Sequence, residues 1–258
     1  PIPLAWENTV ISVGPAGGAW SNVQDMAQFV LLELGRGKHP RKKRLVSKVN
    51  VEARWKPQVR ISRDVHYGLA LIVNNDRGVR ILGHGGGTLG FATNMFFLPE
   101  HGVGLVTLTN AGGGAGGFNS LLARRFLELI FNGRPKAEKN LAYVVKERKK
   151  SLAEAAKRID RQPKRAWVKK HLGTYKNAAL GKVVVRWKKG PRGAKARGWL
   201  DAGEWQAPIA KHTAKDGKVR MIIGPPLAGL VFQPGTDKGK RTLTLRTAQQ
   251  AYVFTSVK

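Results

Sequence analysis

The chain has 258 residues, of which 42% are hydrophobic, and this length and content can support one large domain or two modest ones. The absence of cysteine excludes a disulfide framework and thiolate chemistry, and the absence of an apolar run of about 18 residues excludes a membrane-spanning helix. The net charge is +30, with 30 of the 46 basic residues but only 8 of the 16 acidic residues lying after Pro135.

This strongly basic C-terminal part would attract polyanions, whether nucleic acid, an acidic membrane surface or an acidic partner chain. A solvated, lysine-rich surface explains the same composition. No nucleic-acid-binding motif accompanies the charge, and aromatic residues are not interleaved with it as a stacking platform requires. Nucleic acid is therefore not the partner that the sequence favours.

The first elements are predicted from punctuation and periodicity. Residues 1–15 are expected to be extended, and they lack the basic start and apolar stretch of a signal peptide. Ser21 is the expected N-cap of a helix, with Gln24 completing a capping box, and Gly35 ends that helix. Trp20, just before it, is expected to be a core anchor.

A basic loop and a run of strands follow. Residues 38–44 are a solvated turn, an anion-binding patch or a contact with an acidic partner, with nuclear import the least favoured function. Residues 45–55 are expected to contain a short helix. Residues 65–73 and 79–83 are predicted as strands, joined by a hairpin turn over residues 74–78. The implied sheet is antiparallel throughout, with helices against it.

A glycine-rich stretch comes next, in which His84 is followed at once by Gly85, Gly86 and Gly87. Glycine allows another group to approach the main chain closely, and the histidine can donate or accept a proton. Such a strand edge suits a site where a substrate lies along the backbone. A plain glycine-rich turn with a chance histidine is the alternative.

Regular elements continue to about residue 162. Residues 91–99 and 103–110 are predicted to form a hairpin of two buried strands, and residues 118–131 have helical spacing. After the break at residues 133–135, residues 136–162 are expected to form an amphipathic linker helix.

From Ala166 onward, short alternating segments with turns about every ten residues predict a small β-barrel. The candidate strands are residues 182–187, 219–223, 230–233, 241–246 and 251–256.

The ordered pieces over residues 16–132 resemble the C-terminal half of the catalytic domain of serine β-lactamase-like proteins, a group that includes class C β-lactamases, D-alanyl-D-alanine carboxypeptidases, peptidases and esterases. The matching pieces are Gly-Gly-Ala-Trp-Ser, Tyr67-Gly68-Leu69, His84-Gly-Gly, Gly90-Phe91, Leu98-Pro99 and Leu108-Thr109-Asn110. The segment from Leu172 to Val185 is similar to the opening of the lipocalin-like domain appended to some of these enzymes.

The resemblance implies an α+β fold in which an antiparallel sheet is flanked by helices, followed by a small all-β, lipocalin-like barrel. The expected division is residues 1–135 for the C-terminal portion of a catalytic domain, 136–164 for a basic helical linker and 165–258 for the barrel. The appended domain usually shapes or covers the cleft.

The family's nucleophile motif, Ser-x-x-Lys, and its relay motif, Tyr-x-Asn, do not occur upstream of His84. Tyr175-Lys176-Asn177 matches the second pattern far downstream, where we interpret it as chance. The expectation is that the N-terminal half carrying the nucleophile is a separate partner chain, or was removed.

The resemblance assigns roles to five residues. His84 stands where the family has a lysine or histidine, and it could hydrogen-bond a relay tyrosine or a substrate carboxylate. The Gly87 N–H is the candidate second oxyanion donor, and Gly85, Gly86 and Thr88 would bind substrate. An imidazole carries less charge than a lysine near pH 7, which favours an esterase or peptidase over a β-lactamase.

The function predicted is therefore the cleft-forming chain of a serine hydrolase, inactive without its N-terminal half, acting on a small ester, amide or peptide. No metal or cofactor is expected, since the histidines lack metal-ligand spacing. Phe91 is expected in the core. The alternative is a non-catalytic binding protein whose basic surface binds an acidic partner or polyanion. The sequence leaves open the substrate, the oligomeric state and the compartment, a soluble periplasmic or secreted location being one expectation.

Overall fold

The computed structural model of the protein describes residues 14–41, 43–88, 90–112, 115–190, 195–203, 205–224, 230–247 and 250–257, the side chain of Arg77 excepted. These residues form two compact units, which we call the sheet unit (residues 14–144) and the barrel unit (residues 145–257). The segment predicted to be extended, 1–15, lies outside the described residues except for its last two, which begin a helical turn.

The sheet unit contains four helices, and a fifth begins in it and ends in the barrel unit. They are α1 (Gly14–Gly17), α2 (Val23–Leu34), α3 (Lys48–Arg54), α4 (Ala115–Ile130) and α5 (Lys136–Lys157). The N-cap of α2 is Asn22, whose side chain accepts hydrogen bonds from Gln24 N and Asp25 N, so the Ser21 prediction is wrong by one residue. Asparagine caps as well as serine does, and sequence spacing does not choose between them.

Six antiparallel strands form one sheet in the order β1-β2-β3-β4-β5-β6, which confirms the predicted antiparallel sheet with helices. They are β1 (Val59–Arg60), β2 (Val65–Tyr67), β3 (Ile72–Asn74), β4 (Ile81–Gly86), β5 (Ala92–Leu98) and β6 (Val103–Thr109). The segment predicted as one strand, 65–73, is two paired strands. The chain reverses between them where Gly68 N donates to Leu71 O and Ala70 adopts a φ of +59°.

Helices cover both faces of this sheet. Side chains from α2 and α3 pack with one face in a core that contains Val30, Val51, Leu82 and Phe97. On the other face, the Phe126 ring of α4 meets Phe96 edge-on, 5.8 Å between centroids. Because side chains alternate along a strand, Leu82 and His84 share the first face, and Gly83 and Gly85 share the second.

A buried carboxylate joins α2 to the end of α3. Glu33 is 2% exposed, accepts a hydrogen bond from Trp55 Nε1 at 2.9 Å and forms an ion pair with Arg54. The helical periodicity of α2 did not indicate this residue, since a glutamate on the core side contradicts the amphipathic pattern.

The barrel unit holds α6 (Arg165–Lys169) and nine strands: β7 (Ile159–Asp160), β8 (Gly173–Asn177), β9 (Gly181–Lys188), β10 (Arg197–Asp201), β11 (Gln206–Thr213), β12 (Val219–Ile223), β13 (Val231–Asp237), β14 (Lys240–Arg246) and β15 (Ala251–Val257). Each strand from β8 to β14 pairs antiparallel with the next, and β15 pairs with β8. Eight strands therefore close a barrel, as predicted, with β7 added beside β11.

Side chains fill the interior of the barrel, including Tyr175, Leu200, Met221, Phe232 and Phe254. Strands β10 and β11 were not predicted from the sequence, because β10 carries the glycine Gly198 and β11 carries Pro208. Gly198 faces Ile209 so closely that a Cβ would lie 2.6 Å from its side chain, so the glycine serves packing. None of the helices in the described ranges has the length and apolar character needed to cross a bilayer.

Candidate functional site

Strand β4 runs from the core of the sheet unit to its surface. Leu82 and Gly83 are buried, whereas His84, Gly85 and Gly86 are exposed. A Cβ at Gly83 would lie 2.4 Å from the Met95 carbonyl oxygen and 2.7 Å from the Phe96 Cβ. The first half of the strand is thus packed tightly against β5, and this packing holds the second half in position.

One edge of the exposed half is unpaired within the described residues. On one side, β5 pairs with His84, Gly85 and Gly86. On the other side, β3 begins at Ile72, whose partner is Gly83, so the pairing of β3 stops before His84. Alternate main-chain groups along His84–Gly86 therefore face outward on the β3 side, where an extended chain could add hydrogen bonds.

The glycines of this stretch have different surroundings. A Cβ at Gly85 would meet only the Thr93 carbonyl oxygen, at an ordinary 3.6 Å. At Gly86 it would lie 2.8 Å from Thr93 Oγ1, and at Gly87 it would lie 3.1 Å from the Phe91 carbonyl oxygen. Internal packing thus explains Gly83 and, in part, Gly86 and Gly87, but gives no reason for glycine at position 85.

Both ring nitrogens of His84 have partners. Nδ1 lies 2.5 Å from the Gly85 carbonyl oxygen, and Nε2 lies 3.0 Å from the Tyr67 hydroxyl oxygen. A carbonyl oxygen only accepts, so Nδ1 must carry a proton, and in the neutral ring Nε2 then accepts from the Tyr67 hydroxyl. The two rings also meet edge-on, with centroids 5.8 Å apart.

Tyr67 was not among the site residues predicted from the sequence. It ends β2, and its partner Ile72 is also the partner of Gly83, so the chain reversal after β2 brings Tyr67 beside His84. Gly68 allows the chain to reverse close to the end of α3, because a Cβ at this position would lie 2.5 Å from the Arg54 carbonyl oxygen. In the sequence, Tyr67-Gly68-Leu69 was one of the pieces that carried the family resemblance, but it did not indicate a contact between Tyr67 and His84.

Two aromatic side chains near this stretch are exposed, contrary to prediction. Trp20 is 60% exposed and Phe91 is 36% exposed, and their rings meet edge-on at 5.6 Å. The expectation that both lie in the core was wrong, because each precedes an element whose buried face begins later.

Thr88, predicted to bind substrate, lies near the backbone of Gly17, since a Cβ at Gly17 would lie 4.0 Å from Thr88 Cγ2. Leu89, between Thr88 and Gly90, lies outside the described residues.

The downstream Tyr-x-Asn match has a structural explanation. Tyr175 is fully buried in the barrel core and donates its hydroxyl hydrogen to the His171 carbonyl oxygen at 2.9 Å. Burial raises the pKa of the Tyr175 hydroxyl, which the nearby Arg241 charge partly opposes. Asn177 caps a turn by accepting from Ala179 N and Leu180 N. Both side chains thus hold the barrel together.

The described residues contain no cluster of three or more His, Cys, Asp or Glu side chains that could hold a metal ion. The site consists of main-chain groups, one imidazole, one phenol and one hydroxyl. Such groups can bind a main chain, donate to a developing oxyanion and relay a proton, but they include no activated nucleophile.

A family model described as Beta-lactamase matches residues 1–129, half of the chain. The chain therefore belongs to the serine β-lactamase and transpeptidase-like family. Its antiparallel sheet, with helices on both faces, agrees with that assignment.

No curated protein matches the chain. Among solved structures, it is similar to the octameric penicillin-binding protein homologue from Pyrococcus abyssi, at 18% sequence identity and a TM-score of 0.40. The match covers 92% of this chain and 47% of the other, so the chain spans about half the length of that relative.

Proposed function

We propose that this chain forms one wall of the reaction cleft of a serine hydrolase that acts through an acyl-enzyme. The observation that supports this most is the unpaired edge of His84–Gly86, which is glycine-rich and exposed at the end of a firmly packed strand. A substrate amide or ester could lie antiparallel to this edge and form main-chain hydrogen bonds. Gly85, which packing leaves unexplained, would allow close approach.

In this proposal Gly87 supplies the second oxyanion donor. It directly follows β4, so its N–H is held by the paired glycines before it. A preorganised N–H of this kind contributes a factor of about 10²–10³ to turnover. Thr88, the next residue, would add a hydroxyl group at the same end of the cleft.

His84 and Tyr67 would act as one unit. Because both imidazole nitrogens already have partners, the polar atom that this pair offers to a substrate is the Tyr67 phenolic oxygen. That oxygen donates its hydrogen to Nε2 and keeps lone pairs that can accept a hydrogen bond from a substrate. Unlike a lysine, an imidazole supplies no permanent positive charge, which suits an ester or peptide substrate better than one whose binding depends on such a charge.

The nucleophilic serine, its lysine and the relay tyrosine would come from an N-terminal half, either as a separate chain or as a preceding segment. Two surfaces of the sheet unit suit such a partner. Strand β6 pairs only with β5 among the described strands, which leaves its outer edge open. Helix α4 buries only Ala115 and Asn119 and exposes Phe118 and Leu129. Open edges and apolar faces of this kind are usually covered.

The C-terminal barrel would serve as a lipocalin-like accessory domain in this enzyme. The proposed division remains residues 1–135 for the catalytic portion, 136–164 for the linker and 165–258 for the barrel. The closed eight-stranded barrel is compatible with that role.

The test is an activity-based label on the assembly purified from its natural source. Intact-mass measurement would first show whether a second chain accompanies this one. A fluorophosphonate probe should then modify a serine on the other chain or segment, and a p-nitrophenyl ester should be hydrolysed. An assembly in which no polypeptide is labelled and no ester is hydrolysed would refute the proposal.

Variants of this chain separate its roles within the assembly. Gly87→Pro removes the proposed donor and should lower ester turnover by a factor of about 10²–10³. Gly87→Ala keeps the N–H and serves as the matched control. Equal turnover for the proline variant and the wild-type assembly would remove Gly87 from the oxyanion site.

A second candidate function is a non-catalytic binding protein. It is favoured by the charge of residues 145–258, which contain 28 Lys and Arg but only 7 Asp and Glu. Under this alternative the basic surface binds an acidic partner or polymer, and the fluorophosphonate experiment gives no label.

A further inference from the structure

One outer face of the barrel concentrates basic side chains. It is formed by β8, β9 and β10, and we call it the basic face. Tyr175, Val183 and Val185 point into the barrel core, so the residues that alternate with them point outward. The outward basic residues are Lys176, Lys182, Arg186, Lys188 and Arg197.

Like charges lie directly opposite each other on this face. Lys176 is the cross-strand partner of Lys182, and Lys188 is the partner of Arg197. Directly opposed like charges destabilise a sheet. The acid on this face, Asp201, lies 3.7 Å from Arg186 and can offset one cation. The barrel therefore holds several positive charges together at a cost that an anionic ligand would relieve.

An aromatic ring lies among these cations. Trp199 is the cross-strand partner of Arg186, and the Lys188 ammonium lies 5.1 Å from the centroid of its ring. Trp199 is half-buried, and its indole Nε1 is buried with no hydrogen-bond partner among the described residues. Trp199 comes eleven residues after Lys188 in the chain, so the sequence did not indicate that they are neighbours.

The sequence did not favour nucleic acid as a partner, but strand register places an aromatic ring among the cations. We propose that the basic face binds single-stranded nucleic acid. Outward residues at alternate positions of β9 are about 6.6 Å apart, and Lys182 and Lys188 are separated by about 20 Å, enough for several phosphates. Combined cationic and aromatic groups are typical of surfaces that bind single strands without sequence preference, because every base has a face that can stack. This proposal is independent of the hydrolase proposal.

The experiment measures binding of a fluorescent mixed-sequence oligodeoxynucleotide to the full 258-residue chain. Of the five cations, Arg197 is half-buried and the other four are exposed. With these four neutralising phosphates, affinity should fall about 50-fold between 50 and 200 mM salt. Lys182→Gln should weaken binding several-fold and lower the salt dependence. The same substitution should raise the thermal midpoint by about 1–3 °C, since it removes a like-charge pair. A purely structural lysine would not produce these opposite effects.

Trp199→Leu, which keeps an apolar side chain, should weaken oligonucleotide binding at least about fivefold while the chain remains folded by circular dichroism. The matched control is Lys215→Gln, which removes the same charge in the turn between β11 and β12, outside the three strands that form this face. It should leave affinity within about twofold of the wild type.

Four results would overturn the proposal. The first is that the chain does not bind the oligonucleotide at low salt, and the second is that Lys215→Gln and Lys182→Gln weaken binding equally. The third is that inorganic polyphosphate binds as tightly as the oligonucleotide and Trp199→Leu has no effect. The fourth is that the chain binds anionic phospholipid vesicles but not the oligonucleotide. The third result would indicate a surface that reads charge alone, and the fourth would indicate a membrane surface.

Discussion

Replacing two glycines of β4 with alanine, one at a time, separates glycine required by packing from glycine available to a ligand. At Gly83 the new methyl group would lie 2.4 Å from the Met95 carbonyl oxygen and 2.7 Å from the Phe96 Cβ, well inside the usual 3.5–4.0 Å contact. Because these atoms belong to or adjoin the β5 backbone, β4 and β5 would have to separate. Gly83→Ala should therefore cost about 1–3 kcal/mol or more.

At Gly85 the methyl group would meet only the Thr93 carbonyl oxygen, at 3.6 Å. Gly85→Ala should be neutral or stabilise the sheet unit by about 0.4–1 kcal/mol, because alanine restricts the unfolded chain. Urea unfolding, followed through the amide NMR signals of Met95 and Phe97, would measure both free energies in the sheet unit. In the assembled hydrolase, Gly85→Ala should still lower ester turnover several-fold, since the methyl group crowds the exposed strand.

The reasoning would be refuted if Gly85→Ala destabilised the sheet unit as much as Gly83→Ala does. In that case position 85 would also be a packing glycine. The exposed end of β4 would then lose its main distinction from the buried end.

Three further predictions concern other parts of the molecule. Tyr67→Phe should shift the His84 Nε2 resonance in nitrogen-15 spectra, because the hydroxyl donor is lost. The same substitution should change the unfolding free energy by no more than about 1.5 kcal/mol. An unchanged Nε2 resonance would contradict the assigned hydrogen bond. Glu33→Ala should destabilise the sheet unit by about 3–5 kcal/mol, because the partly buried Arg54 guanidinium and the Trp55 N–H lose their partner. Glu33→Gln should cost less, because its side chain can still accept a hydrogen bond from Trp55. Equal losses of stability in the two variants would assign the effect to the ion pair alone. Burial is the largest cause that lowers the pKa of His171, and the charges of Arg241 and Lys170 lower it further. The unfolded chain therefore binds more protons than the folded chain below about pH 6.5. Barrel stability should fall as the pH drops through that region. Urea unfolding at pH 7.5 and 5.5 should show a smaller loss for His171→Gln than for the wild type, and an equal loss would assign the pH dependence to other groups.

Local signals predicted much of the fold. The hairpin of β5 and β6 was predicted from two apolar runs and a short glycine-containing turn. The barrel was predicted from segments after Ala166 in which apolar and polar residues alternate. Predictions were wrong where a tertiary contact overrode a local pattern. Gly68 and Ala70 split one expected strand into two, and Trp20, which was expected to be a core anchor, lies at the surface.

The candidate site was predicted in part. The glycine-rich stretch after His84 was evident in the sequence, because glycine and histidine have properties that do not depend on their neighbours. Tyr67 could not be inferred, since it reaches His84 only through the shared partner strand β3. The same limit applies to Trp199, whose neighbours Arg186 and Lys188 belong to another strand.

By itself, the amino-acid sequence determined the residue types available for chemistry, the excess of positive charge and the approximate positions of most helices and several strands, because these depend on composition and on periodicities of a few residues. Only the tertiary structure decided that the pairing of β3 ends before His84, that the Tyr67 hydroxyl is hydrogen-bonded to Nε2 of that histidine, and that like charges lie opposite each other on the barrel. Those properties depend on strand register, and register is set by packing between segments that are distant in the chain.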